Sequence, residues 1–167
     1  MIRFMLFGSL LLLTSCPGFI DIGEPLAPAY TTYSPIMMER SQMEAAIGQL
    51  PARDIQDAGK IYAYGRYLFV SEKFEGIHVI DNEIPESPIN MGFIRIPGCV
   101  DMAVKGTTLF ADNATDLIGI DISNPTDVQE ISRVRNAFPV LLPPDLGEVP
   151  ETYRSRSEDL VIIEWRK

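Results

Sequence analysis

The apolar and polar positions fall into distinct textures along the chain. Between Ile61 and Val134, short runs of β-branched and aromatic residues are separated at even intervals by Gly, Asn, Asp and Pro. This pattern predicts strands over 61–64, 67–71, 76–81, 89–96, 100–104, 108–112, 117–121 and 128–134. So many strands in so short a stretch predict a dense all-β domain. Gly65-Arg66 and Gly106-Thr107 can take the positive φ of a tight hairpin. Asn82 and Asn124 can bridge to their own backbone ahead of a proline. Upstream, Pro17, Gly18, Gly23, Pro25, Pro28 and Pro35 leave no apolar period, which predicts an irregular tether. Ser41 followed three residues later by Glu44, with Ala45, Ala46, Ile47 and Leu50 behind and Pro51 closing, predicts one short capped helix. It is the only helix expected after the N-terminal leader.

The strand-rich stretch repeats itself. At an offset of about 41 residues, shortening to about 40 after one hairpin, Gly65 falls on Gly106, Leu68 on Leu109 and Phe69 on Phe110. Ile80 then falls on Ile120, Asp81 on Asp121 and Pro85 on Pro125. Apolar partners continue between these identities: Ile61 with Met102, Ala63 with Val104, Ile77 with Leu117 and Ile94 with Val134. Four strands per unit at this period are the mark of a propeller blade. The expected fold is therefore all-β, with two four-stranded antiparallel propeller-type blades forming a partial β-propeller. Gly65, Asp81, Pro85, Gly106, Asp121 and Pro125 are the residues expected to shape each blade. Asp81 and Asp121, closing equivalent strands, are suited to accept backbone hydrogen bonds at the turn.

Gly76-Ile77-His78-Val79-Ile80-Asp81 and Leu117-Ile118-Gly119-Ile120-Asp121-Ile122-Ser123-Asn124-Pro125 resemble the LVIVD-repeat family, β-propeller-like proteins that are often exported bacterial lipoproteins. The resemblance runs from about residue 60 to 135, departing at His78, at Gly119 and at the Asn82-Glu83-Ile84 turn. It implies an architecture and a location, and no catalytic residues. At the N-terminus, Arg3 precedes an unbroken apolar run from Phe4 to Leu13, the layout of a secretory signal and far short of the ~20 residues of a membrane span. The run ends in Leu13-Thr14-Ser15-Cys16, which resembles a lipoprotein lipobox and makes Cys16 the expected site of acylation. The expected organisation is a signal peptide over 1–15, a tether over 16–40, the helix and its lead-in over 41–59, two blades over 60–135, and a Pro-rich segment with a terminal strand over 136–167.

Composition narrows the partners. With 14 basic against 23 acidic residues and a net charge of −9, the chain is repelled by nucleic acid and by anionic headgroups. Two cysteines, one of them acylated, leave no disulfide framework. His78 is the lone histidine, so a histidine-rich metal site is excluded, and a packed strand position is expected rather than a catalytic one. Cys99, after Pro97-Gly98, is expected to be a small buried residue rather than a nucleophile. Asp112, Asp116 and Asp121 cluster around one hairpin, while Asp54, Asp57, Glu72 and Glu75 are spread over other loops. Paired carboxylates can hydrolyse glycosides or hold Ca²⁺, but 112–116 lacks the spacing of a calcium loop. Tyr62, Tyr64, Tyr67, Phe69 and Phe74 fall in and beside one hairpin, where blade packing is favoured over a sugar-stacking platform.

These features predict a non-enzymatic lipoprotein of the bacterial cell envelope, with no cofactor and no metal. It is held in the lipid bilayer by acylated Cys16, with the outer membrane as the expected bilayer. Its blades would bind or scaffold an envelope protein or a glycan, or associate with further copies through their edges. The alternatives are a carboxylate-based hydrolase of surface polysaccharide and a truncated relative of a longer repeat protein. Two blades expose two apolar flanks. The 160–165 strand is expected to cover an edge of the second blade or of a partner.

Overall fold

The computed structural model describes residues 30–154 and 159–167. The expected signal peptide, Cys16 and the expected tether through residue 29 lie outside the described residues. The elements run in the order β1 (Ser34–Glu39), α1 (Arg40–Ala45), β2 (Gly48–Leu50), β3 (Ala58–Tyr64), β4 (Tyr67–Glu72), β5 (Gly76–Asp81), β6 (Ile89–Arg95), β7 (Met102–Lys105), β8 (Thr108–Asn113), β9 (Asp116–Asp121), β10 (Gln129–Val134), α2 (Glu151–Arg154) and β11 (Leu160–Arg166).

Two antiparallel meanders carry the fold. The first has the order β2-β6-β5-β4-β3 and the second β10-β9-β8-β7. Each begins with a hairpin whose turn glycine takes a left-handed conformation, φ 58° at Gly65 and 60° at Gly106. Each also ends its third strand in the same way. Asp81 Oδ1 accepts the Glu83 N–H at 3.0 Å, and Asp121 Oδ1 accepts the Ser123 N–H at 2.9 Å. Asn124 Oδ1 accepts the Thr126 hydroxyl at 3.0 Å ahead of the return to β10. The duplicated sequence thus becomes a duplicated fold, a β-propeller-like pair of blades.

The sheets pack face to face. Phe69, Ile77, Val79 and Ile94 of the first blade bury against Leu109, Ala111, Ile118 and Ile120 of the second, with Cys99 and Met102 in the same core. Dry aliphatic burial of this kind contributes roughly 25 cal/mol per Å² and dominates the stability of such a stack. At its margin the Tyr62 hydroxyl donates to the Val104 carbonyl at 3.2 Å, and Lys60 pairs with Asp101 at 2.8 Å.

Four expectations are corrected. The tether stops short, because Ser34–Glu39 is a strand that pairs antiparallel with β11. Its Ile36, Met37 and Met38 lacked an apolar period of their own, and become a strand by partnership with an equally apolar distant segment. The terminal strand accordingly adds to β1, and not to an edge of the second blade. The helix is cut to Arg40–Ala45; Glu39 is its N-cap without a side-chain cap bond, and Ser41 lies inside the first turn. Gly48–Leu50 leaves the predicted helix to extend the first blade as a fifth strand on β6, since pairing with an open edge outweighs a weak local helix preference. A second short helix, α2, was not foreseen. The β1–β11 ribbon and α1 enclose a smaller core of Met43, Ala114, Val161 and Ile163.

Candidate functional site

Strand register assigns every blade side chain to a face, because residues directly opposite in neighbouring strands point the same way. In the second blade, Met102, Ala111, Ile118 and Arg133 form one row and Val104, Leu109, Ile120 and Glu130 another, both directed toward the first blade. The opposite face carries the rows Ala103–Phe110–Gly119–Ser132 and Asp112–Leu117–Val134. No third blade lies against this outward face among the described residues. Phe110 and Leu117 are half-buried, whereas Phe69 and Ile77, which stand at the equivalent repeat positions, are fully buried.

The segment from Phe138 to Leu142 flanks this face. It is tied down by the Phe138 N–H donating to the Thr115 carbonyl at 2.9 Å and by Trp165 Nε1 donating to the Leu141 carbonyl at 2.9 Å. Between segment and sheet runs an open, mainly apolar groove of about 540 Å³, with Ala103, Phe110, Leu117, Phe138, Val140 and Leu142 in its walls. Such a volume lies within the usual range for a binding cleft.

The outward face of the first blade is covered around His78 and Phe93, while Ile61 in the same row stays 63 % exposed and Leu68 and Ile80 are half-buried. Gln56 and Asp57 donate their backbone N–H groups to Glu72, and Arg53 lays its guanidinium 3.8 Å from the centre of the Phe93 ring. Beneath them His78, fully buried, holds Nε2 at 2.9 Å from Glu72 Oε2 and meets the Phe93 ring at 4.8 Å between centres, tilted by 60°. The carboxylate acceptor assigns a proton to Nε2, which leaves Nδ1 buried without a partner. Burial pushes the Glu72 carboxyl up, but the Asp57 and Gln56 N–H groups and His78 outweigh it and hold it below the ordinary value.

A second polar cluster joins the ribbon to the second blade. Asp116, fully buried, receives Arg40 Nη1 on both oxygens at 2.9 Å, Arg133 Nη1 at 2.9 Å and the Asn136 N–H at 3.0 Å. Burial again pushes upward, and the Asn136 N–H with the two guanidinium groups brings the net shift below the usual range. Arg133 also meets Glu130 and Asn113, so the charges within the cluster are matched. Arg40 and Asn136 border a cavity of about 730 Å³ between the ribbon and Val140 to Leu142.

The structure separates most of the residues singled out for chemistry. Asp116 pairs across the hairpin with Asn113, and Asp112 with Leu117, so the two carboxylates lie on opposite faces of the sheet and do not converge. Asp112 instead accepts the Val100 and Asp101 N–H groups, and burial raises its pKa. Cys99 is buried, and burial together with the neighbouring Asp112 pushes its thiol well up, which disfavours a nucleophilic thiolate. Tyr62, Tyr64, Tyr67 and Phe69 turn inward onto the main core rather than forming an outer platform. Among the described residues, no group of three or more His, Cys, Asp or Glu side chains could hold a metal ion. Arg40, Arg53, Arg133 and Asn136 were not anticipated, since their roles depend on partners distant in sequence. The sequence indicated exposed apolar flanks on the blades, but not this groove, which needs the segment from Phe138 to Leu142 beside the sheet.

Residues 100–136 match the family model for the LVIVD repeat, spanning all of β7 to β10 and the link that precedes them. No curated protein and no solved structure matches the chain.

Proposed function

We propose that this chain, whose second blade is an LVIVD repeat, is a lipid-anchored module of the bacterial envelope that acts by docking another envelope component, not by catalysis. One observation carries the proposal: the outward face of the second blade keeps the apolar positions that the first blade buries fully under a neighbouring sheet, and leaves Phe110 and Leu117 half-buried and Val134 57 % exposed. Exposed apolar faces of this kind mark interaction sites. Because the groove walls named above, Ala103, Phe110, Leu117, Phe138, Val140 and Leu142, are apolar, the groove suits an apolar protein surface better than a glycan. The anchor rests on Arg3, the apolar run and Leu13-Thr14-Ser15-Cys16. Each acyl methylene contributes roughly 0.8 kcal/mol of membrane affinity, so several chains on Cys16 hold the protein durably. The chain's negative charge keeps the domain off an anionic bilayer, leaving its blades free to meet a partner.

The test places a photo-activated cross-linker at Leu117, in the groove, or at Ile84, an exposed loop position, in the full-length chain in cells. The expected result is an adduct from Leu117 alone, recovered in the membrane fraction, with Cys16→Ala releasing the chain to the soluble fraction. Absence of any Leu117 adduct overturns the docking role. Retention of Cys16→Ala in the membrane overturns the anchor.

A further inference from the structure

The segment that leads back to Cys16 joins the domain at a definite point. Tyr30, Thr31 and Thr32 begin the described chain and are clasped by the turn from Pro143 to Gly147. Asp145 Oδ1 accepts the Thr31 hydroxyl at 2.8 Å and the Gly147 N–H at 3.0 Å, and Oδ2 accepts the Thr32 N–H at 2.9 Å. The Thr31 N–H donates to the Glu148 carbonyl at 3.1 Å, and Tyr30 forms a parallel bridge with Glu148. Within the turn the Leu146 N–H donates to the Pro143 carbonyl at 2.9 Å. The chain therefore enters the domain beside this turn. Tyr30 stands fourteen residues after Cys16, a reach of at most about 50 Å.

Among the described residues, the three most exposed large apolar side chains belong to this clasp and its approach: Leu146 at 78 %, Leu142 at 68 % and Tyr30 at 67 %. Leu146 is held there against its own backbone preference, at φ 53°. Of the other described non-glycine residues with positive φ, Ala114 is buried, Phe74 is half-buried, and Asn136 is of the type that tolerates this conformation. A glycine or asparagine at 146 would make the same turn with less strain, and the leucine buries little of itself within the molecule. Its use therefore lies outside the chain, and the nearest large apolar phase is the bilayer that holds Cys16. We infer that this turn is a second point of contact with the bilayer, Leu146 and Leu142 entering the headgroup boundary and Tyr30 lying at its level. The inference rests on the lipid anchor proposed above and adds to it which part of the domain meets the lipid. Both Asp145 oxygens are taken up in the clasp, but Glu148, Glu151 and the net charge of −9 oppose an anionic surface, so the contact is with zwitterionic lipid. A weak contact suffices, because the anchor keeps the turn at high local concentration over the membrane.

The test uses the full-length chain purified from cells and reconstituted with phosphatidylcholine vesicles, with and without bromine on the lipid acyl chains, which quenches tryptophan in contact with them. Leu146→Trp keeps a large apolar side chain on the turn, and most of its added fluorescence should be lost on the brominated lipid. Ile84→Trp, at an exposed loop position of the first blade, should keep its added fluorescence; both are read against the unsubstituted chain, whose Trp165 is buried. Replacing part of the lipid by anionic phosphatidylglycerol should weaken the quenching at 146. Leu146→Gly relieves the left-handed backbone, so it should unfold in urea at or above the wild-type midpoint while lessening the quenching of Tyr30→Trp. Three results overturn the contact: Leu146→Trp as bright as Ile84→Trp on brominated vesicles with which the chain floats, quenching that strengthens with phosphatidylglycerol, or a urea midpoint lowered by Leu146→Gly, which would make the leucine a packing residue. The first of these leaves the anchor standing, whereas a chain that does not float with the vesicles removes both.

Discussion

Replacing Asp116 by Asn keeps the shape of the side chain and removes its charge, so it isolates what the buried carboxylate contributes. In the native structure Arg40 and Arg133 are 16 % and 12 % exposed in their side chains and share a fully buried acceptor. Removing one partner of a buried ion pair costs about 3–5 kcal/mol, because the other charge stays buried and uncompensated. Arg133 keeps Glu130 at 2.8 Å and Arg40 keeps Asn136 Oδ1 at 3.1 Å, which places the expected loss at the lower end, about 3 kcal/mol. For a domain of this size that corresponds to a fall in Tm of roughly 10 °C. Urea unfolding of the wild-type and variant chains reads the loss directly. The paired variant Asp116→Asn with Arg40→Met should recover part of it, since the stranded guanidinium is then gone. A loss below about 1 kcal/mol would place the cluster with ordinary surface pairs and refute the claim that it joins the ribbon to the blade.

Gly65→Ala and Gly106→Ala meet no atom within 4 Å, so any loss reflects the left-handed backbone alone. Each should cost about 1–2 kcal/mol in urea unfolding, and equal stability to wild type would contradict the duplicated hairpin geometry. Acid should destabilise the protein. Glu72 and Asp116 are held below their ordinary values for the reasons given above, and Asp145 is lowered to about 2, chiefly by the Thr32 N–H with Thr31 and the Gly147 N–H assisting. Folded values below the unfolded ones, about 4, make this stabilisation complete above about pH 5 and lost as the pH falls through the folded values. Asp112, raised by burial, contributes the opposite slope and softens the fall. A urea midpoint that rose on acidification from pH 5 to pH 3 would be inconsistent with the three lowered carboxylates.

The blades could be read from the chain because their signals are local. A glycine that must take positive φ, an Asp that turns the backbone and runs of β-branched residues act within a few positions of themselves, and their recurrence at Gly65 and Gly106 or Asp81 and Asp121 doubled the signal. Gly48–Leu50 and Ser34–Glu39 were misjudged for the opposite reason. Ser41 and Glu44 offered a local helix cap, while the open edge of β6 and the apolar β11 lie far along the chain, and backbone pairing with them outweighs a weak local preference. The polar cluster at Asp116 has the same origin, since Arg40 lies 76 residues away and only folding brings it within 2.9 Å. Likewise the sequence by itself determined that the two blades carry equivalent apolar faces. Tertiary structure alone decided which side chains are covered, because burial depends on what arrives from elsewhere: Arg53 and its neighbours cover His78 and Phe93 on the first blade, and Phe110 and Leu117 on the second stay half-buried.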